Sequence, residues 1–100
     1  MAHEQIKSLW EVLERQGFPN DCHNKSFDGI NTTILYSDLS SLILTYLQTQ
    51  GMLGRRQILV LDQSLLQAKK LIPLLPSERA RNFFSELAKL GEKVKAGLPK

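Results

Sequence analysis

The residues whose types could do chemistry lie together in one polar segment, residues 17–31. This segment contains Asp21, Cys22, His23 and Asp28. A basic histidine beside a cysteine favours the thiolate, which is the nucleophilic form of the side chain. However, side chains adjacent in sequence rarely adopt nucleophile–base geometry, and no pattern typical of cysteine enzymes surrounds Cys22. We therefore favour a polar turn with a half-buried thiol over a catalytic cysteine.

The same segment is a poor candidate for a metal site. A structural zinc ion needs four ligands, usually in paired spacings, whereas the whole chain has one cysteine and two histidines. The sequence also lacks a phosphate-binding glycine loop, a G-x-S-x-G elbow, an H-E-x-x-H pair and an acidic calcium loop. Its carboxylates are scattered rather than paired. We therefore expect no enzymatic activity, no metal and no cofactor.

Four segments have the apolar spacing of amphipathic helices. In the first, Ile6, Leu9, Trp10 and Leu13 follow one another at three- and four-residue steps, as on one side of an α-helix. The same criterion predicts helices over residues 3–16, 32–50, 56–71 and 77–95. The longest connection is the loop 17–31, between helices 1 and 2. The predicted fold class is all-α, a single small four-helix bundle-like domain covering residues 1–100.

Two short apolar runs are also compatible with strands. Ile30–Tyr36 is rich in β-branched residues, and Arg56–Leu61 could be a buried strand that ends at Asp62. Asp28-Gly29 suits a tight hairpin turn, but the residues beside it are too few or too polar to predict a sheet. We prefer the helical interpretation for both runs, because each continues a helical stripe.

Composition and length set the broad class of the protein. With 100 residues, of which 42% are hydrophobic, the chain can form a core without metals or disulfides. It has one cysteine, no recognisable signal sequence and no apolar run that approaches a membrane span. These features favour a soluble, cytoplasmic protein of a reducing compartment, with no membrane partner.

The net charge of +3 conceals an asymmetry between the two halves of the chain. Residues 1–50 have 3 basic and 6 acidic side chains, whereas residues 51–100 have 10 basic and 4 acidic ones. Such polarity allows the basic half to bind an acidic partner such as nucleic acid. The simpler interpretation is that the two halves attract each other, within one chain or across a dimer.

Three leucines lie outside the main apolar stripes of helices 2 and 3. They are Leu44, Leu59 and Leu66, and we predict that they form a partner-binding surface together with Arg55 and Arg56. The predicted function is a non-enzymatic protein-interaction module: an adaptor, a regulator or a subunit of a larger assembly. Its partner would be another protein or a second copy of the chain, as a homodimer. The loop 17–31 is a second candidate surface, which could become ordered on binding.

Nucleic-acid binding is the alternative function. Helix 2, the turn Gly51–Gly54 and helix 3 resemble the outline of a helix-turn-helix. Arg55, Arg56 and Gln57 would enter a groove of the nucleic acid, and Lys69 and Lys70 would lie further along the helix. The objection is that the apolar run Ile58–Leu61 follows immediately, where a recognition helix needs a polar exposed face. We therefore favour the protein-interaction interpretation.

Overall fold

A computed structural model describes residues 2–98 of the chain. It contains four α-helices: α1 (Ala2–Gln16), α2 (Thr32–Gln48), α3 (Arg55–Leu71) and α4 (Glu78–Ala96). The all-α prediction is confirmed, and the helix ends lie within two residues of the predicted ones. The run Arg56–Leu61 is helical, so its interpretation as a strand is wrong.

The four helices form a bundle in which α2 and α4 pack directly against each other. α1 and α3 lie on either side of this central pair, and each contacts both of its members. The start of α1 lies near the end of α2, since His3 and Tyr46 are neighbours with ring centroids 5.9 Å apart. The end of α1 lies near the start of α4, where Arg79 donates a hydrogen bond to the carbonyl of Gln16 at 2.9 Å.

The core consists of the apolar stripes that the spacing predicts. Its largest fully buried apolar side chains come from every helix: Ile6, Leu13, Leu35, Leu39, Ile43, Leu61, Leu71, Phe84, Leu87 and Val94. Gly91 lies where α4 approaches both neighbours, because a Cβ there would stand 2.8 Å from Leu65 Cδ2 and 3.5 Å from Leu39 Cδ2. The missing side chain lets the three helices pack closely.

The helices begin and end at residues that satisfy their free backbone groups. The side chain of Asn31 accepts a hydrogen bond from Ile34 N–H at 2.9 Å at the start of α2, and Ser77 does the same for Ala80 at 3.1 Å at the start of α4. Gly17, with φ of +78°, follows the last residue of α1. Pro73 and Pro76 flank the bend between α3 and α4, as expected for residues that interrupt a helix.

The loop 17–31 contains a small sheet, which the sequence did not predict. A 3₁₀ turn covers Asn20–Cys22, and two short antiparallel strands, β1 (Ser26–Phe27) and β2 (Ile30–Asn31), follow it. Asp28 and Gly29 join the strands with φ of +53° and +79°, the positive values of a type I′ turn. Only Ile30 and Asn31 of the run Ile30–Tyr36 are strand, and the helix starts at Thr32.

Candidate functional site

Of the chemically suggestive residues of the loop, Cys22 is buried, whereas Asp21, His23 and Asp28 are exposed. The Cys22 thiol is buried and lies 3.6 Å from the carbonyl oxygen of Pro19. Burial, reinforced by the nearby Asp21 carboxylate, raises the pKa of Cys22. A raised pKa lowers the thiolate fraction at neutral pH, whereas an activated cysteine needs the opposite shift. The neighbouring His23 is exposed and packs edge-on against Phe18, with centroids 5.9 Å apart.

Hydrogen bonds fasten this loop to the first turn of α2. The buried hydroxyl of Thr32 contacts the carbonyl of Cys22 and that of Lys25, the latter at 3.1 Å. Thr33 accepts a hydrogen bond from Asn24 N–H at 2.7 Å, and Asn31 donates one to the Asn24 side chain at 3.1 Å. Among residues 2–98, no group of three His, Cys, Asp or Glu side chains is placed to hold a metal ion.

The three leucines of the predicted partner surface do not form one patch. Leu59 and Leu66 are 63% and 61% exposed on α3, two helical turns apart. Leu44 is 37% exposed and lines a groove between α1 and α2 instead. Arg56, on the other hand, lines the groove between α2 and α3. The structure therefore keeps Leu59, Leu66 and the arginines together and places Leu44 elsewhere.

The outer side of α3 combines apolar and basic side chains. At 100° per residue, Arg55, Arg56, Leu66 and Lys70 project within about 60° of the direction of Leu59. All five are exposed. We call these five residues the basic–apolar face. The interval of seven residues between the leucines spans about 10.5 Å along the helix, which suits packing against one face of another helix.

Two residues of the predicted nucleic-acid surface, Gln57 and Lys69, already have partners within the chain. The side-chain oxygen of Gln57 accepts a hydrogen bond from Gly54 N–H at 2.8 Å, so it caps the start of α3. Lys69 lies 4.0 Å from Glu92 in an exposed ion pair. Arg56 and Lys70 are separated by 14 residues, about 21 Å along the helix. The connection between α2 and α3 is also longer than predicted, since α2 ends at Gln48 and α3 begins at Arg55.

A groove between α1 and α2 was not predicted from the sequence. Leu44 and Leu47 line it together with Trp10, and Glu11 and Glu14 supply its acidic groups. His3, Lys7 and Gln48 complete the lining. We call it the acidic groove. The acidic excess of the first half of the chain was its only sequence signal, because the groove itself depends on how α1 packs against α2.

Ion pairs do not join the two oppositely charged halves within the described residues. The three pairs found there are Lys69–Glu92, Lys89–Glu86 and Lys95–Asp62, at 4.0, 3.5 and 3.0 Å. All of them lie within the basic second half. The six acidic side chains of the first half are all exposed. Mutual ion pairing within one chain therefore does not account for the charge asymmetry.

Comparisons of this chain with protein-family models, with curated proteins and with solved structures found no match. In the part of the chain that the structure describes, no helix has the length and apolar character needed to cross a membrane.

Proposed function

We propose that this protein is a non-enzymatic interaction module, an adaptor, regulator or assembly subunit, that binds a protein partner through the basic–apolar face of α3. The observation that supports the proposal is the exposure of Leu59 and Leu66 on one side of a regular helix. Each leucine is already partly covered, so its burial by a partner would contribute about 1–2 kcal/mol before the costs of association. Two such side chains in line are a compact anchor for a helical partner.

The charges around the leucines define the partner's chemistry. Arg55 and Arg56 lie at one end of the face and Lys70 at the other. A partner with carboxylates beside its own apolar stripe would complement these cations, which speeds encounter and fixes orientation. We therefore expect an acidic amphipathic helix as the bound element.

A designed peptide tests this proposal. The probe is an 18-residue fluorescent helix with leucines along one face and glutamates beside them, and the matched control peptide carries lysines in place of the glutamates. Fluorescence anisotropy should show binding of the acidic peptide, weakened by salt, and much weaker binding of the basic one. The double variant Leu59→Asp/Leu66→Asp should lower the affinity at least about tenfold, equivalent to about 1.4 kcal/mol.

Ile34→Asp is the matched control variant, because Ile34 is 61% exposed on α2 and outside the face. It should bind the acidic peptide as the wild type does. Far-UV circular dichroism of both variants should remain helical. Equal binding of the two peptides, or unchanged binding by the double leucine variant, would contradict the proposal.

Nucleic-acid binding remains the second candidate, favoured by the exposed Arg55 and Arg56 at the start of α3. Labelled duplex DNA and single-stranded RNA, titrated at low and near-physiological salt, test it. Binding that falls steeply with salt and is lost in Arg55→Ala/Arg56→Ala, but survives Leu59→Asp/Leu66→Asp, would favour this function. An absence of binding at low salt would exclude it.

A further inference from the structure

The molecule presents two exposed surfaces of opposite charge, each with leucines at its centre. One is the basic–apolar face of α3, and the other is the acidic groove between α1 and α2, where Leu44 and Leu47 lie beside Glu11 and Glu14. The two surfaces share no residue. Their apolar centres and opposite charges make them complementary in chemical character.

A single chain cannot bring these two surfaces together. α1 and α3 lie on opposite sides of the α2–α4 pair, and Leu59 points away from the buried side of α3 that carries Leu61 and Leu65. Within the described residues, no ion pair links the acidic first half to the basic second half. The attraction between the halves is therefore available to act between molecules.

We infer that the acidic groove of one molecule binds the basic–apolar face of a second copy of this chain. This inference rests on the proposed function, because it uses the same face of α3 and names its partner. Leu59 and Leu66 would pack against Leu44 and Leu47, and Arg55 and Arg56 would lie beside Glu11 and Glu14. Lys7, the one cation among the described groove residues, lies on the same helix as the two glutamates.

The charges favour this head-to-tail contact over a symmetric contact of α3 with α3. In an antiparallel pair of α3 helices, Arg55 and Arg56 of one copy would face Lys70 of the other. In a parallel pair, the arginines would face each other. Both arrangements bring like charges together, whereas the groove supplies carboxylates. The inferred contact joins two different surfaces rather than two copies of the same one, and such a contact gives rings or open chains.

Mixing two variants tests the inference. Leu59→Asp/Leu66→Asp destroys the face and keeps the groove, and Leu44→Asp destroys the groove and keeps the face. Light scattering coupled to size-exclusion chromatography should show that wild-type mass rises with concentration and that each variant alone is a monomer. An equimolar mixture of the variants should form a 1:1 dimer, because one intact contact remains between the two molecules.

Ile34→Asp again provides the control and should associate as the wild type does. Charge reversal gives an independent test: Glu11→Lys/Glu14→Lys and Arg55→Glu/Arg56→Glu should each be monomeric alone, and their mixture should gain mass with concentration as the wild type does, because both contacts between the two variants again join opposite charges. Circular dichroism confirms that each variant is helical. A mixture of the two leucine variants that stays monomeric, or variants that associate alone, would overturn the inference.

The outcomes for the inference and for the proposed function are distinguishable. If the wild type stays monomeric at all concentrations while the acidic peptide still binds through Leu59 and Leu66, self-association is wrong and the interaction function stands. If the peptide does not bind and the wild type is monomeric, both are wrong. If the mixture forms the dimer, the partner of α3 is this chain itself.

Discussion

The loop 17–31 and the outer side of α3 differ in how far their side chains are packed, and the difference is the opposite of what their sequences suggest. The loop is polar and aperiodic, yet it is anchored: the Thr32 hydroxyl fastens it to α2, Cys22 is buried and Phe18 packs against the core. Its charged side chains remain exposed. α3 is a regular amphipathic helix, yet Leu59 and Leu66 on its outer side are exposed. An irregular backbone is thus anchored here, whereas a regular helix leaves two large apolar side chains exposed.

Removing the aromatic contacts of Phe18 tests whether the loop is packed onto the core. Phe18 lies near Tyr36, Phe83 and Phe84, with ring centroids 5.2, 5.7 and 5.9 Å away. Phe18→Ala should lower the free energy of unfolding by about 3 kcal/mol, since it removes a large side chain from a packed cluster. Urea denaturation measures the loss. Phe18→Leu is the control and should lower the free energy of unfolding clearly less. A loss below about 1 kcal/mol in Phe18→Ala would mean that the packing of Phe18 does not stabilise the fold.

The second change removes one hydroxyl. Thr32→Val should destabilise the protein by about 1–2 kcal/mol, because it leaves the buried carbonyl of Cys22 without its partner and removes the acceptor of Lys25 N–H, whereas the Lys25 carbonyl keeps the backbone N–H of Thr32 at 2.9 Å. Thr33→Val is the matched control, since the Thr33 hydroxyl lies on the exposed side and water can replace it. Denaturation curves of the two variants should differ clearly. Similar curves would show that the buried hydroxyl does not fasten the loop.

The third change strains the hairpin turn. Gly29 has φ of +79°, a conformation that L side chains avoid, so Gly29→Ala should cost about 1–2 kcal/mol. Gly54→Ala serves as the control, because Gly54 has φ of −73° and a Cβ there meets only the Gln57 side chain at 3.5 Å. A thermal melt of each variant checks the difference. No shift in Gly29→Ala would indicate that the turn adopts another conformation.

The smallest effect on stability is expected at the proposed binding face. Leu66→Ala should change the free energy of unfolding by no more than about 0.5 kcal/mol, because the side chain is exposed. Its buried neighbour Leu65 provides the contrast, and Leu65→Ala should cost about 2–5 kcal/mol. Chemical denaturation, performed where the protein is monomeric, compares them. A large loss in Leu66→Ala would mean that Leu66 supports the fold rather than a partner.

The sequence predicted the helices well because their signal is local. Ile6, Leu9, Trp10 and Leu13 line one side of α1 as their spacing requires, and Gly17 stops the helix. The order in the loop was not predictable in the same way. Its anchors join Cys22 and Lys25 to Thr32, seven to ten residues away, and no periodic pattern reports such contacts.

The candidate surface was predictable only in part. Leu59 and Leu66 fall outside the apolar stripe of α3, and the structure exposes both, as their positions on the helix suggest. Leu44 has the same signature on α2, but its surroundings depend on which side of α2 is covered by α1. That choice is made by tertiary packing, so helical spacing alone could not separate Leu44 from the other two leucines.

The side chain of Tyr46 lies beside both the start of α1 and the residue that follows α4. Its ring lies beside His3 in the first turn of α1, and a Cβ added at Gly97, just after α4, would collide with its hydroxyl oxygen. The two ends of the fold are therefore neighbours in space. A short linker could join them, and new ends could be opened in the exposed connection between α2 and α3, giving a circular permutant with the same packing.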